Sequence, residues 1–350
     1  MQQFLSDNNA GICPEALAAM LEANAAGHAI GYGGDRWTQA AKQAIARLFE
    51  RSLDTDCAVY FAFNGTAANA LALSHILRPW HAAIAHAFSH VEMDEAGAVS
   101  FFSGGATLMT ADTPDAKLTP AAVARLATKF EGVHHVKPTV LSLTQATELG
   151  TVYTLGEMRT LAALAREHGL KVHLDGARFA NAVARFGCTP AEASWRAGVD
   201  VMTFGGVKNG LGIGEAIVVF DLALAAELDR RIKQAGQLNS KMRLAAAAWL
   251  GLLEGDVWLA NARHANAMAQ RLAGHLAGLP GIRLMHAVEA NGVFAEIPEQ
   301  VQAGLRGKGW AFYTFVPPLG CRLMCAWDTT PETVDRLAAD LAELTCASPA

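Results

Sequence analysis

Lys171-Val172-His173-Leu174-Asp175-Gly176-Ala177-Arg178 and, further along, Gly205-Gly206-Val207-Lys208-Asn209-Gly210 decide how this chain is read. The first stretch is an apolar strand that delivers an Asp to its carboxyl end. The second is the exit of another apolar strand, Val201 to Phe204, into a glycine-flanked Lys. In open α/β sheets, ligands sit beyond the carboxyl ends of the strands. A carboxylate and a lone amine therefore face one crevice.

Outward from that pair, short apolar runs alternate with helical patterns. The runs at Ala58–Phe63, Ala83–His86, Ala106–Thr110, Thr139–Leu143, Val172–Asp175, Val201–Phe204 and Glu215–Phe220 are near-continuous, as strands buried on both faces are. Helix starts are signalled between them. Thr154-Leu155-Gly156-Glu157 and Thr189-Pro190-Ala191-Glu192 fit a capping box, and Thr119-Pro120 places Pro at the first helical position. Seven strands with intervening helices predict an α/β fold with a mostly parallel sheet.

After Phe220 the pattern changes. Ala- and Leu-rich helix runs to about Leu276, broken near Gly255-Asp256. Strand-like pieces follow at Ile282–Met285, Val293–Ile297 and Arg322–Ala326, and Thr330-Pro331-Glu332 opens a closing helix. The expected division is a large α/β domain over residues 1–243 and a smaller α+β domain over 244–350.

Composition narrows the function classes. The 350 residues are 52% hydrophobic and 17% charged, enough for a large core and against disorder. A net charge of -5 with no basic run gives no reason to expect nucleic acid. The start, Met1-Gln2-Gln3-Phe4-Leu5, lacks the basic and apolar regions of a signal peptide. The apolar run Leu244–Leu253 is about half the length that spans a bilayer. A cytoplasmic protein is expected, with no membrane partner. Six scattered cysteines show no Cys-x-x-Cys spacing, so neither a disulfide nor a metal site is expected. His86 and His90 are four apart, but no acidic third ligand is evident nearby.

Four motifs lie at strand ends. In Phe63-Asn64-Gly65-Thr66-Ala67-Ala68-Asn69 a strand gives way to a helix, whose first N–H groups and Thr66 hydroxyl suit a phosphate. The same residues also make an ordinary helix start. Ser89-His90 follows a strand; the His lies flat on a ring, handles protons, or is structural. Asp175 and Lys208 complete the set. An Asp so placed also serves magnesium or ribose in other α/β enzymes, and a Lys in a Gly-rich turn is often only solvated. Gly210-Leu211-Gly212-Ile213-Gly214 leads into a strand and lacks the dinucleotide pattern. Together, an amine and a carboxylate at neighbouring strand ends are what pyridoxal phosphate requires. The amine condenses with its aldehyde, and the Asp keeps the pyridine nitrogen protonated so that the ring accepts electrons.

In their order and over nearly the whole chain, several pieces resemble the threonine aldolase family of fold type I pyridoxal-phosphate enzymes. The resemblance is to the low-specificity L-threonine aldolase type that includes phenylserine aldolases. The pieces are Ser6-Asp7-Asn8, Gly31-Tyr32-Gly33-Gly34-Asp35, Asn64-Gly65-Thr66-Ala67-Ala68-Asn69, Ser89-His90, His173-Leu174-Asp175-Gly176-Ala177-Arg178, the Lys208 turn, Lys241-Met242-Arg243 and Arg322-Leu323. The resemblance implies that Lys208 carries the cofactor, Asp175 pairs with its pyridine nitrogen, and His90 stacks on its ring. Asn64, Gly65 and Thr66 would hold its phosphate. Ser6, Arg178 and Arg322 would bind the amino acid's carboxylate, a task suited to the planar guanidinium fork. Tyr32 would line the substrate site, with Phe88 and Trp37 as further candidates for its wall. A homodimer or homotetramer with sites at the interface is implied, with Lys233, Lys241 and Arg243 near the neighbour's phosphate.

Two departures stand out. Many members have Ser-Lys-Gly where this chain has Val207-Lys208-Asn209-Gly210, which removes a hydroxyl beside the Lys. Many also carry Thr-His-Asn where this chain has Thr144-Gln145-Ala146-Thr147-Glu148, with no His. Glu148, Gln145, His90 or a water must then take that role, and His90 or a water it orders is the expected base. The implied reaction is cleavage of an L-β-hydroxy-α-amino acid (L-threonine, L-allo-threonine or phenylserine) to glycine and an aldehyde. Transamination or β-elimination on the same fold is the alternative. A scaffold protein without catalysis is the reading from another class.

Overall fold

The computed structural model describes residues 2–347. All seven expected strands form: β1 (Ala58–Ala62), β2 (His81–His86), β3 (Thr107–Ala111), β4 (Lys137–Thr144), β5 (Lys171–Gly176), β6 (Val201–Phe204) and β7 (Glu215–Val219). They build one sheet in the order β1-β7-β6-β5-β4-β2-β3. Only β7 runs antiparallel to its neighbours; β2 through β6 pair in parallel. The central strands are buried along nearly their whole length, because helices cover both faces. The result is a mostly parallel seven-stranded α/β fold of the type expected.

Helix starts follow the caps with one exception. Thr154 closes a full capping box with Glu157 at the head of the helix Leu155–Glu167, and Thr119 caps Pro120–Ala127. At Thr189 the reciprocal bonds with Glu192 also form, yet no α-helix follows. The chain makes turns into a short 3-10 segment, Trp195–Ala197, and leaves it through Gly198 at φ 101°. There Arg196 N–H reaches back to the Ala191 carbonyl and Val199 N–H to Ser194. A cap satisfies two orphan groups but does not propagate a helix against competing turn bonds.

We label four helices. α1 (Pro14–Ala25) and α2 (Arg36–Leu48) precede the sheet, and α3 (Gly65–Ile76) follows β1. α4 (Met242–Leu253) packs on α1 and α2, contributing Met242, Ala246, Trp249 and Leu252 to the core that covers one face of the sheet. The expected break at Gly255-Asp256 is present, both residues having positive φ, and the helix Val257–Leu276 continues beyond it. On the opposite face α3 sets Ala68, Leu71 and Ala72 against Ala62, Ile217 and Val219.

A second sheet contains β8 (Arg283–Leu284), β9 (Gly292–Glu296), β10 (Tyr313–Val316) and β11 (Gly320–Met324), in the order β10-β11-β9-β8 and antiparallel throughout. β10 was not expected from the sequence. The core behind this sheet gathers Leu272 and Leu276, Val293, Leu323, Leu337 and Leu341, together with Phe4 from the chain start. Gln2–Gln3 pairs with Trp310–Ala311, and Phe4 accepts from Met324 N–H. The first residues are thereby stitched into the second sheet and led back toward the carboxyl ends of β4–β6.

Candidate active site

Asp175 ends β5, and its neighbours in register are Thr144 on β4 and Thr203 on β6. Its carboxylate is buried and held at both oxygens: Ala177 N–H donates to Oδ1 at 3.0 Å and Asn69 Nδ2 to Oδ2 at 2.9 Å. Asn69 is fixed in turn. Thr203 Oγ1 donates to its Oδ1 at 2.8 Å, and its Nδ2 also reaches Glu95 Oε1 at 2.8 Å. Glu95, only 3% exposed, takes His90 Nδ1 on that same oxygen at 2.8 Å, while its Oε2 has no partner among the described residues. Hydrogen bonding from Glu95, aided by the charges of Glu148 and Asp175, outweighs burial and raises the His90 pKa. The imidazole keeps its proton more firmly than a free one.

Lys208 sits in the 3-10 turn Val207–Asn209 after β6. Two glycines make this exit possible. A Cβ on Gly205 would collide with the Ala177 backbone, and one on Gly206 with Leu211 and Trp249. Behind the turn, Phe204 packs against Trp249 and Trp258 at centroid distances of 4.9 and 6.0 Å. Asn209 Nδ2 donates to the Trp258 carbonyl at 2.7 Å. Glu215 from β7 accepts from Gly206 and Val207 N–H. Burial pushes its carboxyl up to about 7, the backbone bonds only partly opposing this.

Asn64 caps α3 by accepting from Ala67 N–H at 2.9 Å. Among the described residues, the Gly65 and Thr66 N–H groups ahead of it have no protein acceptor. They form the open positive end of a twelve-residue helix. Free donors there, an amine at 208 and an anchored acid at 175 are the chemistry that pyridoxal phosphate requires. These residues fit it.

Arg178 and Arg322 line one small cavity with Glu148, Asn291 and Phe294. Arg178 is already engaged through Nε and Nη2 with both oxygens of Asp7, at 2.7 and 2.9 Å. Burial opposes the Arg178 charge, but Asp7 and Glu148 outweigh it and its pKa rises. Asn291 also donates to Asp7 at 2.9 Å. Burial would raise Asp7; Arg178, Lys208 and the two hydrogen bonds overcome that and hold it at about 2. Arg322 lies over the Tyr313 and Phe315 rings and donates to the Leu5 carbonyl, and its buried Nε has no partner among the described residues. That orphan donor is a natural seat for an incoming carboxylate. Ser6, next to Leu5, caps the short turn Asp7–Asn9 through its hydroxyl.

The site thus brings together Asp175, His90, Arg178, Arg322 and Lys208, the last felt electrostatically by both Asp7 and His90. Tyr32 lies elsewhere. It is 55% exposed, carries Lys233 Nζ 4.6 Å from its ring centroid, and lines a separate cavity with Phe63 and Gln237–Ser240. Phe88 shares a cavity with Ser89, Ser142 and Glu148, whereas Trp37 stacks under Arg36. Gln145 is fully buried and committed to the Tyr153 backbone on both sides of its amide. Asn69, Glu95, Glu215 and Asn291 received no role from the sequence. The signal for Glu95 was its position five residues after His90; nothing local marks Glu215 or Asn291.

The chain is similar to known proteins along nearly its whole length. A family model described as beta-eliminating lyase matches residues 3–300. The chain is 53% identical over 340 residues to the low specificity L-threonine aldolase of Pseudomonas sp. (strain NCIMB 10558), across 97% of each chain. The Pseudomonas aeruginosa low specificity L-threonine aldolase matches with the same identity and coverage. The solved structure of Leishmania major threonine aldolase superposes with a TM-score of 0.92 at 31% identity, covering 98% of this chain and 99% of that one.

Proposed function

The chain belongs to the beta-eliminating lyase family, among its low specificity L-threonine aldolases, and from that premise we propose a pyridoxal-phosphate aldolase with the residues above in named roles. It is a carbon–carbon lyase of the threonine aldolase type. Its substrates are L-threonine, L-allo-threonine and related L-β-hydroxy-α-amino acids such as phenylserine, and its products glycine and an aldehyde.

Bound pyridoxal phosphate supplies an aldehyde for the Lys208 amine and an electron sink for the pair released at Cα. The observation that carries the reading is the doubly anchored Asp175 beside the exit turn that bears Lys208. Asp175 would hold a pyridine N–H, His90, oriented by Glu95, would cover the ring, and Asn64, Gly65 and Thr66 would receive the phosphate. Ser6, Arg178 and Arg322 take the substrate carboxylate, with Arg322 Nε the donor in need of a partner. Fixing the carboxylate would limit the orientations open to the bonds at the substrate Cα. Positioning of this kind contributes several kcal/mol.

The assembly is proposed to be a homodimer or homotetramer with sites at the interface. Ile30, Tyr32, Phe63 and Phe101 are exposed apolar side chains that support it. Tyr32, Lys233, Lys241 and Arg243 would then serve the neighbour's site. The division into units of 1–243 and 244–350 and a cytoplasmic location are part of the same proposal. No helix among the described residues is long and apolar enough to cross a membrane.

The purified protein is to be incubated with L-threonine, L-allo-threonine and phenylserine. Stoichiometric aldehyde and glycine are expected. Keto acid or ammonia in their place would assign another reaction of the fold, and a colourless, inert protein would overturn the reading.

A further inference from the structure

The geometry points to Glu148, at the end of the Thr144–Glu148 segment, as the catalytic base that takes the β-hydroxyl proton. This rests on the aldolase reading above. Glu148 is 8% exposed and lies on the wall between two small cavities. One holds Arg178 and Arg322, which bind the substrate carboxylate; the other holds Phe88, Ser89 and Thr144 beside the strand ends. A β-substituent next to a carboxylate seated on the two arginines falls within its neighbourhood.

The turn that carries Glu148 is fixed. Gly150 N–H donates to the Thr147 carbonyl, Thr147 N–H to the Thr151 carbonyl, and the two threonine hydroxyls are 2.7 Å apart. Thr151 Oγ1 also reaches the Asp115 carbonyl at 2.6 Å. Gly150 needs its positive φ of 77°, and an added Cβ there would press on the Gly292 carbonyl and the Phe294 ring. A carboxylate on such a turn is preorganised at little entropic cost on binding.

The other candidates are occupied. Both ends of the Gln145 amide are bonded to Tyr153. His90 commits Nδ1 to Glu95 and is assigned to the ring face. Glu148 influences His90, Arg178 and Arg322 through space, with no hydrogen bond to any of them. Among the described residues nothing hydrogen-bonds its carboxylate, which is left open to substrate.

In the cleavage direction the β-oxygen gives its proton to Glu148 as the C=O bond forms and Cα–Cβ breaks. The electron pair stays at the glycine Cα, which then takes up one proton, and Glu148 returns its own to solvent. Atoms and charge balance without a further reactant.

The test uses the cofactor-loaded protein and its Glu148→Gln, Glu148→Asp and Glu148→Ala variants. Aldehyde release and exchange of the glycine α-proton in D2O are followed in parallel. Exchange needs the cofactor, Lys208 and the carboxylate clamp but no β-hydroxyl. Glu148→Gln should lose at least about a hundredfold in kcat with KM little changed. Its visible absorbance and glycine exchange should persist, and Glu148→Asp should recover part of the activity. Cleavage by Glu148→Gln within about threefold of the parent overturns the assignment. So does parallel loss of exchange and cleavage in both the Gln and Ala variants, which marks a structural role. Absence of cleavage and exchange in the parent would instead overturn the aldolase reading.

Discussion

Asp175 and Glu215 are both buried acids near Lys208, yet their surroundings set them apart. Asp175 accepts from Asn69 and Ala177, with Asn69 itself braced by Thr203. Glu215 has backbone donors and little else, so burial lifts it to about 7. An acid raised in the folded state keeps a proton that the unfolded chain releases. As pH climbs from 4.5 to about 7 the folded form therefore loses roughly 3 kcal/mol relative to the unfolded one. Glu215→Gln still offers an oxygen to Gly206 and has no proton to shed. Its melting temperature should exceed the parent's at pH 8 and match it near pH 4, as followed by thermal denaturation. An identical pH dependence in both proteins would refute the buried-acid account. At Lys208 the consequence is optical. Lys208→Ala should fold normally but lose the visible absorbance of the loaded enzyme, and a surviving band would remove Lys208 from its role.

At the level of elements, the α1–α4 crossing depends on one missing side chain. A Cβ on Gly251 would strike the Glu15 carbonyl and the Ala16 Cα, so the two backbones touch there. Gly251→Ala should push the helices apart at a cost of about 1–3 kcal/mol, despite the better helix propensity of Ala. Chemical denaturation would measure it, and a neutral or stabilising result would mean the crossing relaxes freely. Since α4 carries Trp249 under the Lys208 turn, weaker cofactor retention should accompany the loss. The seven sheet strands were legible because burial on both faces leaves an uninterrupted apolar run. β10 was not, since Tyr313–Val316 is only half-buried and abuts Pro317-Pro318. The Thr189 box was legible as a cap and misleading as a helix. In the site, Asp175 and Lys208 announce themselves at strand ends. Asn69, Glu95 and Asn291 acquire meaning only when helix, loop and second sheet converge, which no local pattern records.

Across the whole molecule, Asp7 is a tie between three regions. It comes from the chain start, pairs with Arg178 after β5, and accepts from Asn291 beside β9. Removing it strands a buried guanidinium, so Asp7→Ala should cost about 3–5 kcal/mol in denaturant titration. Asp7 also dictates behaviour in acid. Its carboxyl is held at about 2 against an ordinary 3.8, so its contribution of roughly 2 kcal/mol is complete above pH 3.8 and disappears as pH falls through 2. Asp7→Asn should flatten the stability curve in that window, and an unchanged curve would place the acid sensitivity elsewhere.

The same tie joins partners 284 positions apart, and the Leu5–Arg322 bond spans 317. A ribosome therefore releases one half of the proposed carboxylate pocket long before the other. Nascent chains can lay down the central strands early, but the proposed amino-acid seat assembles only once the strand Gly320–Met324 has emerged. A polypeptide cut short before that strand keeps Lys208 and Asp175 but lacks Arg322, and on the proposed roles it should bind no amino acid.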